Sequence, residues 1–467
     1  LVRERILVIV IAVIAIMVFA LNAYHFEELE SVKMGKGYVS DEVWYVGSAR
    51  TILVKVFGLE PRMPEDNYGY TIIYNGQIDY SLITRIAGKF GVSIRSDYSD
   101  LKAFYASGYK GNLTLFIDEI KKYISVSDVI PGWMMPDHNG INNYINQEHP
   151  PLGKYITAAV MYLVGDRPLY WRLPVVLLGA LSVILVYSSM RKLTGNIVVA
   201  FATSLLFMVD PLTRTLFSIV LLDGFTTFFS ILSFHYAVNK KYHESLIAGV
   251  IAGLFKFTGL FTLIPLLILY LRRELRKNPS FANLVYTTIA FILAASSLFL
   301  LALTCVSIPL IMYMGPGNWV KYSLLGSIEW HTSIKCNGPC PGSSSPWDWF
   351  LGVNGFTVYV DPTVVAIGFY PFWSTVLVSL VLLAPLIIKD KRYGVLWVYL
   401  VGVLTGYLIV WAMGGRSQYS FYSVQLAPFT YMYLVYMVVY ALNKDNITYV
   451  GSSYSKLFSY IVKLLLS

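Results

Sequence analysis

Apolar runs long enough to cross a lipid bilayer dominate this chain. About 20 predominantly apolar residues cover a hydrocarbon core. Ile6–Ala23 is the first such run, and others lie near Trp171–Ser189, Ile197–Val209, Leu216–Val238, Leu246–Phe255, Leu260–Leu271, Leu284–Met314, Val364–Ile388, Val395–Met413 and Phe421–Leu442. Only 13% of the 467 residues are charged and 56% are hydrophobic. A soluble domain carries about twice that share of charge. These runs exclude a disordered chain, a collagen-like chain and an ordinary cytosolic enzyme. The expected fold is an all-α polytopic membrane protein with about ten transmembrane helices. A long extracytoplasmic first loop is expected to carry interfacial helices and a small mixed subdomain.

The basic residues orient the spans. Arg3 and Arg5 precede the first run, and no small-residue cleavage site follows it, so it reads as a span rather than a signal peptide. Arg191/Lys192, Lys240/Lys241, Arg272/Arg273/Arg276/Lys277, Lys389/Lys391/Arg392 and Lys444 fall on one side when the spans alternate. This gives a first transmembrane helix over 1–23, an extracytoplasmic loop over 24–168 and a transmembrane core over 169–314. A second outer loop over 315–362, C-terminal spans over 363–442 and a cytoplasmic tail over 443–467 complete the order. The net charge of +9 is explained by these short loops, and nucleic acid is not expected as a partner. Two short runs flanking Lys256 suggest a hairpin that does not fully cross. Apolar residues at helical spacing over Asp41–Phe57 predict an amphipathic helix on the membrane surface. Lys154–Val164 and Leu457–Leu466 read as further interfacial helices.

Four polar clusters map to the outer face. Asp41-Glu42 offers adjacent carboxylates, suited to a general base and equally to a solvated helix start. In Glu148-His149-Pro150-Pro151-Leu152-Gly153-Lys154, the prolines fix where a helix begins. That places Glu148, His149 and Lys154 at the interface, with the lysine either meeting a phosphate as a point charge or snorkelling. Arg214 and Asp223 are either a structural pair or functional groups near the membrane. Gly414-Gly415-Arg416, followed by Tyr419, Phe421 and Tyr422, reads as a phosphate fork or an interfacial anchor. Arg172, at the outer mouth of the second span, has the same two readings. Cys336 and Cys340 flank an Asn-Gly-Pro turn; a local disulfide fits an oxidising exterior, whereas a metal half-site lacks its second pair. Sugar transfer from a polyisoprenyl phosphate needs all these parts on one face: a carboxylate for the acceptor proton and cations for the leaving phosphate.

The ordered set Asp41-Glu42, His149-Pro-Pro-Leu-Gly-Lys154, Arg214…Leu-Leu-Asp223 and Arg416…Phe421-Tyr422 resembles the protein O-mannosyltransferase family of membrane-embedded C-superfamily glycosyltransferases. Trp330-His331 and Ser345-Pro346-Trp347-Asp348-Trp349 resemble that family's later outer loop. The resemblance implies an inverting transferase that uses a dolichyl-phosphate-linked hexose, typically mannose, and Ser/Thr hydroxyls as acceptors. It implies Asp41 as catalytic base, with Glu42 positioning a substrate. It also implies His149, Lys154, Tyr422 and Arg416 at the donor and its phosphate, with Glu148, Arg214, Asp223 and His331 shaping the pocket. Residues 315–362 are too few for the β-trefoil of eukaryotic members, and a long insert separates Asp41-Glu42 from His149. The sister family of lipid A aminoarabinose transferases keeps a lipid or glycan acceptor open. Some of its members bind zinc, and Glu148, His149 and His331 leave room for a divalent metal here. No nucleotide cofactor is expected. The expected partners are a lipid-linked sugar donor, a protein, lipid or glycan acceptor, and membrane lipids. A transporter is the competing reading from another class, but no motif repeats along the chain.

Overall fold

A computed structural model describes residues 2–333 and 340–466. The expected pairing of Cys336 with Cys340 falls on Cys336, which lies outside the described residues. The chain is mostly helical. Four helices are long and apolar enough to cross a membrane: the first helix (Glu4–Val32 of α1, Val2–Val32), α6 (Pro168–Thr194, so numbered in chain order below), Phe281–Met314 and Lys391–Ala412. Ile197–Val209, Tyr370–Leu382 and Ala427–Ala441 are apolar but shorter. Length and composition alone therefore support fewer crossings than the expected ten.

After α1, the short helix α2 (Glu42–Thr51) begins at Asp41. Ser40 has φ 55°, a left-handed conformation rare for a residue with a Cβ, and it turns the chain into α2. This helix is enclosed by protein rather than left with an open apolar side. Residues Tyr45 to Thr51 are buried, because neighbours cover it from two sides. Trp44 packs with Ile73, Leu101, Ile130 and Met135 of the insert. Tyr45, Val46 and Ala49 join the helical core.

The insert is a small α/β unit: β1 (Tyr68–Asn75), α3 (Tyr80–Lys89), β2 (Ser93–Arg95), β3 (Ala103–Gly108), α4 (Lys110–Ile120) and β4 (Ser125–Pro131). The strand order β2-β3-β1-β4, antiparallel throughout, is that of a β-α-β-β-α-β ferredoxin-like sheet. Asp79 starts α3 by accepting from the Ser81 and Leu82 amides, an N-cap that satisfies otherwise orphaned donors. Tyr68, Tyr70 and Ile72 of β1 pack with Ile83, Ile86, Leu113 and Phe116 of the two helices. Ile73 joins the cluster that holds Trp44, so one sheet face carries the helices and the other stands on α2.

The chain then enters α5 (Leu152–Leu163), α6, α7 (Ile197–Val209), α8 (Pro211–Leu216), α9 (Leu222–Val238), α10 (Tyr242–Gly253), α11 (Leu263–Lys277) and α12 (Phe281–Met314). α6 packs against α1, α7 and α9, and α10 against α9. Between α10 and α11 the chain makes a tight turn over Phe257–Thr262. A Cβ on Gly259 would lie 2.2 Å from the Ala252 carbonyl carbon, so only glycine lets this turn close against α10. The turn presents Lys256 between α10 and α11.

Among the described residues, three buried ion pairs join distant segments at one end of this bundle. Arg50 donates to both oxygens of Asp166 at 2.8 and 2.7 Å. Asp166 also accepts from the Trp133 amide at 2.9 Å and the Trp171 indole at 2.7 Å. The other two pairs, Glu42–Arg172 and Asp223–Lys256, border the site.

Candidate active site

Asp41 and Glu42 part company at the start of α2. Glu42 is wholly buried. It accepts from Arg172 at 2.9 and 2.6 Å, from the Val220 amide at 2.8 Å and from the Val39 amide at 2.9 Å. Its acceptor capacity is spent inside the protein. Arg172 donates further to the carbonyls of Ala23 and Gly37 at 3.1 and 3.0 Å. Neither side chain lines the cavity. The structure therefore places Arg172 as a brace between α6, α1 and α2 rather than at a lipid phosphate, and Glu42 as its buried partner rather than a substrate contact.

Asp41 occupies the N-cap position of α2, yet its carboxylate caps nothing. It lines a cavity of 1010 Å³ instead. Burial raises its pKa to about 6; the positive charge of Lys256 opposes this and the negative charge of Asp223 adds to it. Such a value suits a general base near neutral pH.

The cavity has a polar end and an apolar wall. Tyr45, Glu148, His149, Lys256, His331 and Tyr422 border it near Asp41. Phe257, Phe261, Phe299, Leu303, Leu325 and Ile328 line the rest. Glu148 accepts from the Tyr144 hydroxyl and from the Asn146 amide at 3.1 Å. The His149 ring lies 5.1 Å from that of His331 and 5.8 Å from that of Tyr45. Among the described residues no group of three or more His, Cys, Asp and Glu side chains is placed to hold a metal ion. Glu148, His149 and His331 are not among such a group.

Lys154 is buried and stands behind the cavity wall rather than in it. Its ammonium donates to the Asn146 carbonyl, to Asn146 Oδ1 at 3.2 Å and to the His149 carbonyl at 2.9 Å. Three donors meet three oxygens. Asn146 has φ 51°, the bend that lets both its carbonyl and its side chain reach the lysine. Burial depresses the Lys154 pKa to about 7, against the pull of Glu148. The lysine thus holds the loop that carries Glu148 and His149.

Of the two readings of Arg214 and Asp223, the structural pair does not form. Arg214 is exposed on α8, a helix of one and a half turns whose start is fixed by Asp210. Asp223, at the first turn of α9, binds Lys256 at 2.8 and 3.0 Å, and both are buried. Lys256 also lies 3.4 Å from the centroid of the Tyr422 ring, a cation–π contact. Lys256 is the site residue that the motifs did not supply. Its one signal was a lysine inside an otherwise apolar run, where an ionisable group is costly. Arg416 is exposed at the rim. Gly415 and Ser417 beside it line the cavity, and its guanidinium rests 5.2 Å from the Trp411 ring.

Comparison with known proteins agrees with the motifs. The family described as dolichyl-phosphate-mannose-protein mannosyltransferase matches residues 148–303. Polyprenol-phosphate-mannose–protein mannosyltransferase of Corynebacterium glutamicum is 25% identical over 452 residues, covering 79% of this chain and 82% of that one. The protein of the same name from Mycolicibacterium smegmatis is 22% identical over 393 residues, covering 67% and 75%. Among solved structures, ArnT from Cupriavidus metallidurans bound to undecaprenyl phosphate aligns with a TM-score of 0.43 and 14% identity. It covers 67% of this chain, which spans about half (53%) of the ArnT chain. By sequence the chain is similar to membrane glycosyltransferases. Within that class it is a relative of the protein mannosyltransferases.

Proposed function

We propose that the protein transfers a hexose, mannose by analogy with its relatives' names, from a polyisoprenyl phosphate to a serine or threonine hydroxyl of a protein on the extracytoplasmic face. One observation carries this reading: a single cavity joins a partly desolvated carboxylate, Asp41, and a buried cation, Lys256, to an apolar wall. The apolar wall suits the lipid tail and the polar end suits the sugar phosphate. The acceptor oxygen attacks the anomeric carbon as Asp41 takes its proton. The carbon–oxygen bond to the phosphate breaks on the opposite side, and the configuration inverts. The negative charge that develops on the departing phosphate is met by Lys256 and by Arg416 at the rim. Glu42 with Arg172, and Lys154 through its loop, keep these groups in register.

The test is to incubate the purified full chain with synthetic polyprenyl phosphate mannose and, in separate arms, a Ser/Thr peptide, a lipid and an oligosaccharide. Mannosyl peptide from the wild type and none from Asp41→Asn supports the reading. Product only in the lipid or glycan arm moves the acceptor to that class. No transfer in any arm, with uptake of labelled substrate into proteoliposomes, overturns it in favour of transport.

A further inference from the structure

Gln418 lines the cavity, and the transfer as written gives it no task. It is 3% exposed. Its Nε2 donates to the Tyr407 carbonyl at 2.9 Å. A carbonyl only accepts, so this bond fixes which end of the amide is which and leaves Oε1 as the remaining atom. Oε1 is buried and makes no hydrogen bond among the described residues. A buried acceptor without a donor is uncommon in a folded protein and calls for an explanation.

The groups that hold Gln418 are themselves tied by a chain of hydrogen bonds. The Gln418 carbonyl accepts from the Ser344 amide at 2.8 Å. The Tyr407 hydroxyl donates to Gln425 Oε1 at 2.6 Å. Gln425 in turn donates to Ser230 Oγ at 2.9 Å and to the Thr258 carbonyl at 3.2 Å. Gln418 also stands at the polar end. Tyr407, which holds it, stacks on Tyr422 with centroids 6.4 Å apart, and Tyr422 is the ring beneath Lys256. A rigid acceptor at that place suits a ligand rich in hydroxyl groups.

We infer that Gln418 accepts a hydrogen bond from a hydroxyl of the transferred hexose and thereby reads the sugar. The inference rests on the donor reading above. A site built to pair with a hydroxyl discriminates strongly against the analogue lacking it. The natural ligand class is a polyisoprenyl phosphate hexose, with the ring hydroxyls supplying the donor.

The experiment compares binding of two probes to the full chain in detergent: polyprenyl phosphate mannose and bare polyprenyl phosphate. The wild type binds the mannose-bearing lipid more tightly. Gln418→Met, close in shape but without the acceptor, loses about two- to tenfold in affinity for that lipid and keeps its affinity for the bare lipid. Gln418→Glu, which when protonated can donate to Tyr407 and still present an oxygen, regains affinity for the mannose-bearing lipid as pH falls. A set of monodeoxy mannose lipids identifies the hydroxyl: one of them binds the wild type and Gln418→Met equally. Equal losses for both lipids, or no loss for either, overturn the inference while leaving the donor reading intact. A wild type that binds neither lipid overturns the donor reading and this inference with it.

Discussion

Asp41 and Glu42 are adjacent in sequence and serve opposite surroundings: Glu42 is sealed inside by Arg172 and two backbone amides, and Asp41 opens onto the cavity. The start of a helix makes this division. Successive side chains leave the axis about 100° apart, so one carboxylate meets the bundle as the other meets the substrate space.

On the proposed mechanism, Asp41→Asn removes the base and little else. Transfer should fall about 10²- to 10⁴-fold, and thermal unfolding should be unchanged or slightly raised, since a desolvated carboxyl has been neutralised. A parallel measurement of turnover and unfolding temperature checks this; loss of both together would make Asp41 structural.

Glu42→Gln should behave in the opposite manner. It strands a buried guanidinium, which costs about 3–5 kcal/mol. The expected result is low yield of folded protein and a lowered unfolding temperature, with turnover per folded molecule reduced far less than in Asp41→Asn.

The pH dependence follows from the raised pKa of Asp41. On the proposed mechanism the carboxylate form is the active one, and burial favours the protonated form. The rate should therefore be flat above pH 6 and fall tenfold per unit below it, with the inflection near the value of about 6 set by burial and its neighbouring charges. An inflection near the ordinary value of an exposed aspartate would show that Asp41 is solvated in the working enzyme.

The Asp223–Lys256 pair lends itself to a double-mutant cycle. Asp223→Asn and Lys256→Met each leave a buried charge without its partner, at a cost of about 3–5 kcal/mol. The double variant should be destabilised by less than the sum of the two. Additive losses would mean the two residues do not depend on each other.

Arg416→Ala should leave stability within about 0.5 kcal/mol, as expected for an exposed position. Donor affinity should drop about tenfold or more, the scale of a charge-assisted hydrogen bond. Binding of bare polyprenyl phosphate reads this directly, and unchanged affinity would remove Arg416 from the phosphate site.

The sequence made the membrane character and the polar motifs legible because each is local: runs of apolar residues, a proline pair, neighbouring carboxylates. Partnerships across the chain were not local. Asp223 was matched to Arg214, nine positions away, when its partner is Lys256 on the following hairpin. Arg172 looked like a phosphate ligand because nothing in its own segment reveals that Glu42 meets it from 130 positions away. The insert was readable only as a mixed subdomain. Its central strand β1 is covered on both faces, so Gly69 to Ile73 are buried without alternation, and the period of two that marks a half-exposed strand is missing. The amphipathic spacing of α2 does not say what covers its apolar side, which the insert and the helical core share.

The Glu42–Arg172 clasp also bears on how the enzyme comes into being. Its carboxylate is synthesised early, its guanidinium well over a hundred residues later, and the Val220 amide that completes the cradle later again. A nascent chain released before that point would carry Asp41 without the framework that aims it.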